Sequence, residues 1–274
     1  MARISGYGQE THENRQAFDS TVQAETGLMH ISGNDHEPVM IGTVLLDYTA
    51  GLNMAIGILS ALYNRNLTGK GQLVECSLSE AALSISMNAV PDFYVNKKNF
   101  IQMGNRDRFT VPSNTFKAKN GHIHIMAGSN DRFYKLLEAM NMSRYKNNKK
   151  FSTPENRKKY IFEIEKIINN WTTNHNVEYL GKKLSKANVP WGQVKTLGDY
   201  LKSPHARRSM VNASIKNKRI LVPKVPINFP DQKYKINRVM PALGENNNII
   251  LQKFLGLSLK KIKALEKDKI INKK

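Results

Sequence analysis

The sequence predicts a protein of mixed helix and strand, of α/β or α+β class. Three segments carry that expectation. Residues 43–65 repeat apolar side chains at Leu45, Leu46, Leu52, Ala55, Ile56, Leu59, Leu62 and Tyr63, close to the 3.6-residue helical period. Gln72 to Leu78 alternates, with Val74 and Cys76 on one face, as a strand does. Asn120-Gly121, set between two strand-like runs, is a two-residue hairpin signal.

Taken in order, residues 1–40 read as loop and short elements, and Met1 to Gly8 as the end of a strand running into a glycine turn. The helix over 43–65 carries Arg65 in its last turn, where a cation suits the helix dipole. Thr68-Gly69-Lys70-Gly71-Gln72 is then a glycine-rich turn into the strand. Ser79 is expected to cap a helix over roughly 79–94, with Ser84, Ser86 and Ala89 as small packing residues. Residues 95–113 form a polar loop containing Gly104, Asn105 and Pro112. Thr115–Ala118 and His122–Ala127 form the hairpin, and Asp131 to Met140 is an amphipathic helix. Residues 155–187 hold two helices punctuated by His175-Asn176. Val189-Pro190-Trp191-Gly192 breaks the pattern, and Ser203-Pro204 opens a turn. Residues 218–240 read as strand and loop with Pro223, Pro226 and Pro230. The tail from Asn246 to Lys269 holds one or two helices separated by Gly256-Leu257-Ser258.

The 274 residues are 40% apolar and 8% aromatic, enough for a packed core and too apolar for a disordered chain. One cysteine excludes an intrachain disulfide and fits a reducing compartment. Met1 to Asn14 lacks an apolar signal core. The longest apolar stretches, Val39–Leu46 and Met54–Leu62, carry Gly and Ser and fall far short of the roughly 20 residues that cross a bilayer. A cytoplasmic protein without a membrane segment is expected. The net charge of +20 lies wholly in the second half: residues 138–274 hold 30 basic and 10 acidic side chains. Asymmetry of that kind raises a nucleic-acid partner. Lys/Asn-rich drift, as at Asn147-Asn148-Lys149-Lys150, produces it on solvated faces without one, and that is the reading preferred here.

Few residues stand out as chemistry. The Gly69–Gly71 turn precedes a strand, so it is neither a P-loop nor a dinucleotide fingerprint. His122 and His124 share a strand face, but no third ligand follows at a metal-site spacing. Cys76 in an apolar strand reads as a buried, inert thiol. Asp47 follows Val44-Leu45-Leu46 where the long helix begins. It is either a first-turn acid stabilised by the helix dipole or a carboxylate available as nucleophile or base. Pattern alone favours the cap.

The residues around Asp47 add a resemblance. Gly42–Gly51, Ile58–Arg65 and Thr68–Gln72, followed by Val74 to Ala82, strongly resemble the family III CoA-transferases, the carnitine and bile-acid CoA-transferase type. Ser5-Gly6-Tyr7-Gly8-Gln9, Phe18-Asp19 through Gln23-Ala24, and Gly27-Leu28-Met29 resemble the same family in order and spacing. So do Gly104-Asn105, Pro112, Phe116–Ile125, Val189–Val194, Pro241–Asn246 and Leu255–Ser258. The resemblance narrows the fold to α/β. It implies a partial Rossmann-like large domain over 1–95, a small α+β domain over 104–187, and a return to the large domain over 200–274. Family members form interlocked dimers, so a homodimer is implied.

The resemblance also implies a reaction. Asp47 corresponds to the family's nucleophile, which takes CoA from an acyl-CoA donor and passes it to a carboxylic acid through aspartyl anhydride and thioester intermediates. CoA enters as a substrate; no permanent cofactor and no metal are implied. Tyr7 is expected in the wall of the site and Leu78 near the thioester arm. The Gly104-Asn105 loop is expected as a lid over the intermediate. The sister α-methylacyl-CoA racemases place a His just before the Asp of the Phe18-Asp19 element. Phe18 stands there and cannot carry a proton, so transfer is favoured over racemisation. Family members usually have Gly-Pro where Thr11-His12 stands. The family's N-terminal part, with most CoA contacts, is expected to be missing, which leaves a non-catalytic binding module as the third reading.

Overall fold

The computed structural model describes residues 1–8, 15–34, 37–99, 101–215, 218–231 and 241–271. Gln9, Thr11 and His12 lie outside the described residues, as do 232–240 of the expected strand-and-loop stretch. The chain divides into two units, Met1–Val194 and Lys195–Lys274.

Unit 1 is mixed α/β and holds two hydrophobic cores. The first is built by β1 (Ala2–Ser5), α1 (Asp19–Glu25), α2 (Leu28–Ile31), α3 (Leu45–Thr68), β2 (Val74–Ser77), α4 (Leu78–Ile85) and α5 (Ala89–Asn96). β1 and β2 pair in parallel, Ala2 opposite Val74 and Ser5 opposite Ser77. Parallel neighbours need a crossover, and α3 lies on it, immediately before β2. Its C-terminal end stays near the start of β2, where Asn64 donates to the Gln72 side chain at 3.3 Å. Its N-terminus therefore lies toward the carboxyl ends of the strands. Gly57 allows the close approach: a Cβ there would come within 2.7 Å of Val74 Cγ1.

By length and composition alone, α3 is long and apolar enough to cross a membrane. Counting short apolar runs misses this, because a helix tolerates single polar residues such as Asn53 and Asn64 within an apolar span. One face of the first turns of α3 packs within unit 1. Leu46 and Ala50 are buried with Val22, Leu78, Ala81 and Ala82. Its other face leaves Tyr48, Leu52, Ile56, Leu59, Tyr63 and Leu67 exposed at helical spacing.

The expected single helix over 79–94 is two, and its cap is Ser77. Ser77 Oγ accepts the Glu80 N–H at 3.1 Å, and the Glu80 carboxylate accepts the Ser77 N–H at 3.0 Å. The chain breaks after Ile85 because Pro91 lacks an N–H and is tolerated only in a first turn. Restarting at Ala89 places Pro91 there.

The second core lies under a three-stranded antiparallel sheet, β3 (Ser113–Ala118), β4 (Gly121–Met126) and β5 (Trp191–Gln193), with β4 central. Helices α6 (Asn130–Ala139), α7 (Pro154–Lys159), α8 (Ile161–Thr172) and α9 (Val177–Lys186) pack beside it. Ile123, Ile125, Phe133, Leu136, Ile168 and Leu180 are buried there. Ala118 pairs with Gly121, so the hairpin tip is Lys119-Asn120, one residue earlier than the Asn-Gly signal. Asn120 is recruited elsewhere: its Oδ1 accepts the Val177 N–H at 2.8 Å and so caps α9. The 155–187 stretch holds three helices, since Thr153 and Pro154 start the short α7. The expected break at 189–192 runs into the edge strand β5, and Pro190, just before it, accepts the Met126 N–H at 3.0 Å and needs no ladder N–H of its own.

Unit 2 contains α10 (Leu197–Leu201), α11 (Pro204–Arg208), the hairpin β6 (Met210–Ile215) and β7 (Lys218–Pro223), α12 (Asn247–Leu255) and α13 (Leu259–Lys267). Ser203-Pro204 starts a helix: Ser203 Oγ accepts the Ala206 N–H at 3.2 Å. The sequence reading lacked β6. The tail is two helices, with Gly256 at φ 62° ending α12.

Candidate active site

Asp47 is the third residue of α3, at the end of the helix that carries partial positive charge. The first amides of a helix have no intrahelical acceptor. Val44, the capping position, provides no side-chain acceptor. The acceptor comes from α1 instead. Asp19 Oδ2 takes the Leu46 N–H at 2.7 Å and the Asp47 N–H at 3.2 Å. Asp19 is 6% exposed, and a buried carboxylate in that place is stabilised by the two N–H donors and the helix dipole.

Gln23, one turn along α1 and fully buried, completes the network. Its Nε2 donates to Asp19 Oδ1, and its Oε1 accepts the Ile41 N–H at 3.0 Å. The same Nε2 reaches the Thr43 carbonyl at 3.4 Å. One i, i+4 pair on α1 thus fixes both the approach to α3 and its first turn.

Asp47 is a first-turn acid, as the pattern allows, but the capping part of that reading does not hold. Asp19 caps α3, so Asp47 does not. The Asp47 residue is exposed, and among the described residues none is hydrogen-bonded to its carboxylate. It lines a shallow cleft with Tyr48, Gly51 and Leu52. A free carboxylate on a rigid helix end, at the carboxyl edge of a parallel sheet, stands where α/β folds place their ligands.

The remaining site candidates divide. Tyr7 packs against the core that holds Leu46 and Leu78, with the Arg15 guanidinium 5.1 Å from its ring centre. The Ser79 N–H donates to the Gly6 carbonyl at 3.0 Å, so the β1 turn and the start of α4 are joined. Leu78 itself is 7% exposed and serves as core, not as open surface. Gly104 lines a different cleft, of about 300 Å³, with Leu28, Ile85, Ala89 and Phe109; Asp47 is not in its lining. Asn105 is exposed beside it. The loop is held there: Gly104 N–H donates to the Gly33 carbonyl at 3.3 Å, and Asp107 Oδ1 accepts the Phe109 and Thr110 N–H groups at 2.8 and 2.7 Å. In this structure it is a tethered wall of that second cleft, whereas a lid over Asp47 is expected from the sequence.

The sequence signature of CoA-transferase family III matches residues 1–247. The chain belongs to CoA-transferase family III. Among its relatives in the family is the succinyl-CoA–D-citramalate CoA-transferase of Chloroflexus aurantiacus, 27% identical, covering 99% of this chain and 69% of the relative. The succinyl-CoA:glutarate CoA-transferase of Homo sapiens is 25% identical, covering 92% of this chain and 59% of the relative. Among solved structures, a CAIB/BAIF family protein from Brucella suis superposes with a TM-score of 0.76 at 27% identity, covering 91% of this chain and 66% of that one. Rv3272 from M. tuberculosis shares the fold at TM-score 0.78 and 19% identity, over 90% of this chain and 67% of that one. The chain thus spans about three-fifths to two-thirds of these family members' lengths.

The other sequence candidates have local roles within this family fold. His124 Nδ1 lies 3.1 Å from Thr115 Oγ1 across the hairpin. Among the described residues, no three His, Cys, Asp or Glu side chains gather as metal ligands. Cys76 is half-buried, and burial, with the nearby Glu80 charge, pushes its thiol above the ordinary value. Asp19 and Gln23 are what sequence reasoning missed. Their signal was the four-residue spacing inside the Phe18–Ala24 element, but Asp19's partners in α3 lie 27 and 28 residues away and Gln23's, on the approach to α3, lie 18 and 20 residues away.

Proposed function

We propose that this chain carries the nucleophile of a CoA-transferase and moves CoA from an acyl-CoA donor to a carboxylic acid. The observation that carries the reading is the Asp47 carboxylate, exposed and excluded from capping by Asp19. It attacks the donor thioester carbonyl, forming a mixed anhydride and expelling the CoA thiolate. The thiolate attacks the aspartyl carbonyl, releasing the donor acid and leaving an aspartyl-CoA thioester. The acceptor carboxylate displaces CoA to form a second anhydride. The thiolate then attacks the acceptor's carbonyl, giving the new acyl-CoA and regenerating Asp47. Covalent catalysis divides one hard exchange into easier steps, and a weak nucleophile gains from fixed placement.

The relatives' names support dicarboxylic acids, succinyl-CoA above all, as donor class. The exposed stripe from Tyr48 to Leu67 supports an assembly, taken as a homodimer. Phe18, 70% exposed and unable to carry a proton, opposes the racemase reading. The lone, half-buried Cys76 fits a cytoplasmic chain.

The test is exchange of labelled CoA between succinyl-CoA and a dicarboxylate. Transfer by the chain, lost in Asp47→Ala with unchanged circular dichroism, is the expected result. α-Proton exchange without transfer would establish the racemase. No activity together with salt-sensitive nucleic-acid binding would establish the binding module.

A further inference from the structure

We infer that Asp19 is a positioning residue whose cap on α3 keeps the Asp47 carboxylate out of its own helix end. The inference rests on Asp47 being the nucleophile. The physical basis is a competition for orphan amides. A helix start whose amides lack an acceptor recruits the nearest side-chain oxygen. The short carboxylate of an Asp in a first turn can fold back onto its own or a neighbouring backbone N–H, the same amides that a cap would fill. In α3 that residue is Asp47. A self-capped Asp47 would have its charge spread over backbone donors and its lone pairs directed inward, away from a thioester.

Asp19 removes the demand. Its Oδ2 fills the Leu46 and Asp47 amides, while Gln23 holds Oδ1 and the Ile41 amide and so locks the carboxylate in one rotamer. Both side chains are buried, and the approach to α3 is fixed by the same pair, so Asp19 has little freedom to turn away. The capping acceptor is therefore delivered from a separate helix, and the Asp47 residue is exposed with nothing hydrogen-bonded to its carboxylate among the described residues.

The test compares the parent chain with Asp19→Ala and Asp19→Asn. The first removes the acceptor; the second keeps a neutral oxygen there. Carbodiimide coupling of an amine to Asp47, mapped by mass spectrometry, reads the freedom of that carboxylate without requiring activity. Asp47 should couple readily in the parent, within about twofold of it in Asp19→Asn, and several-fold more slowly in Asp19→Ala. In the transferase assay kcat should fall about 100-fold in Asp19→Ala, with KM little changed, and recover at least tenfold of that in Asp19→Asn. Should Asp19→Ala fail to fold, Gln23→Ala decides, since it frees Asp19 Oδ1 and lets that carboxylate turn from α3: Asp47 coupling should slow there, and unchanged coupling overturns the inference. Unchanged Asp47 coupling in a folded Asp19→Ala overturns it as well. A parent chain as active as Asp47→Ala would instead overturn the nucleophile reading, while the coupling rates still report on the cap.

Discussion

Arg106 and Glu165 form a two-pronged ion pair, with Nε and Nη2 lying 2.9–3.0 Å from the two carboxylate oxygens. It ties the Gly104 loop to α8, and Asn114 Nδ2 adds a third donor to Glu165 at 2.9 Å. Glu165 is buried, so deleting it removes the carboxylate that Arg106 and Asn114 share. Glu165→Ala should cost about 1–3 kcal/mol, read from the urea midpoint. Amide exchange over 101–110 should rise in the same variant. Exchange unchanged from the parent would mean that the loop is held by its own backbone alone.

Gly104 makes a related prediction at the other end of that loop. Its φ of 58° is left-handed, and a Cβ would meet Asn34 Oδ1 at 2.8 Å. Gly104→Ala should cost about 1–2 kcal/mol from backbone conformation, with the Asn34 contact in addition. Gly71→Ala is the control, since a Cβ there meets nothing within 4 Å. Thermal melting of the two variants should separate clearly; equal melting points would remove the steric argument.

What was legible in the sequence was local. The α3 periodicity, the hairpin and the two tail helices are set by neighbours within a few turns, and Asp47 lies at the helix start where the pattern placed it. What was not legible depends on partners distant in sequence. Asp19 looks like an ordinary first-turn acid until α3 folds against it. Asn120 looks like a turn residue until α9 uses it as a cap. Trp191–Gln193 is too short and too close to Pro190 to signal a strand, and exists because β4 offers an edge. Ser77 outcompetes Ser79 because only Ser77 precedes Glu80 by the three residues that a reciprocal cap requires.

Arg157 carries a stability prediction. It is fully buried, and its guanidinium donates to the carbonyls of Val111, Phe151 and Gly128 and to Asn130 Oδ1 at 2.6–3.1 Å. Phe133 lies beneath it at 4.8 Å. Burial pulls its pKa down, yet guanidinium remains charged throughout the working range. Arg157→Met keeps the packing and abandons four acceptors, at about 1–3 kcal/mol for each one left unmet. Arg157→Lys cannot reach all four in a planar fork and should also destabilise, though less. Denaturant titration should rank parent, Lys and Met in falling stability. A Met variant as stable as the parent would show that the acceptors find water.

Cys76 predicts a pH dependence. Its folded pKa is raised, so between the ordinary thiol value and that higher value the folded chain holds a proton that the unfolded chain has lost. Stability from this group is full below the ordinary thiol pKa and falls as pH rises through that window. Iodoacetamide modification, which needs the thiolate, should show a higher pH midpoint in the native chain than in urea. Coincident midpoints would remove burial as a control on this thiol.

Asp47→Glu is the sharpest test of placement. The substitution keeps the charge, and Glu is well suited to a first helical turn, so stability should change by less than about 0.5 kcal/mol. The residue is exposed, and the longer side chain meets no packed neighbour that must move. What changes is reach: one methylene shifts the carboxylate by about 1 Å, a displacement that costs on the order of 100-fold when a nucleophile must meet a bound carbonyl. On the proposed mechanism the added methylene alters the attack and not the binding of the thioester, so KM should hold while kcat falls. The rigid cap from Asp19 sharpens the expectation, because α3 cannot retreat to absorb the extra length. Equal kcat for the parent and Asp47→Glu would mean that the carboxylate's position does not limit the reaction.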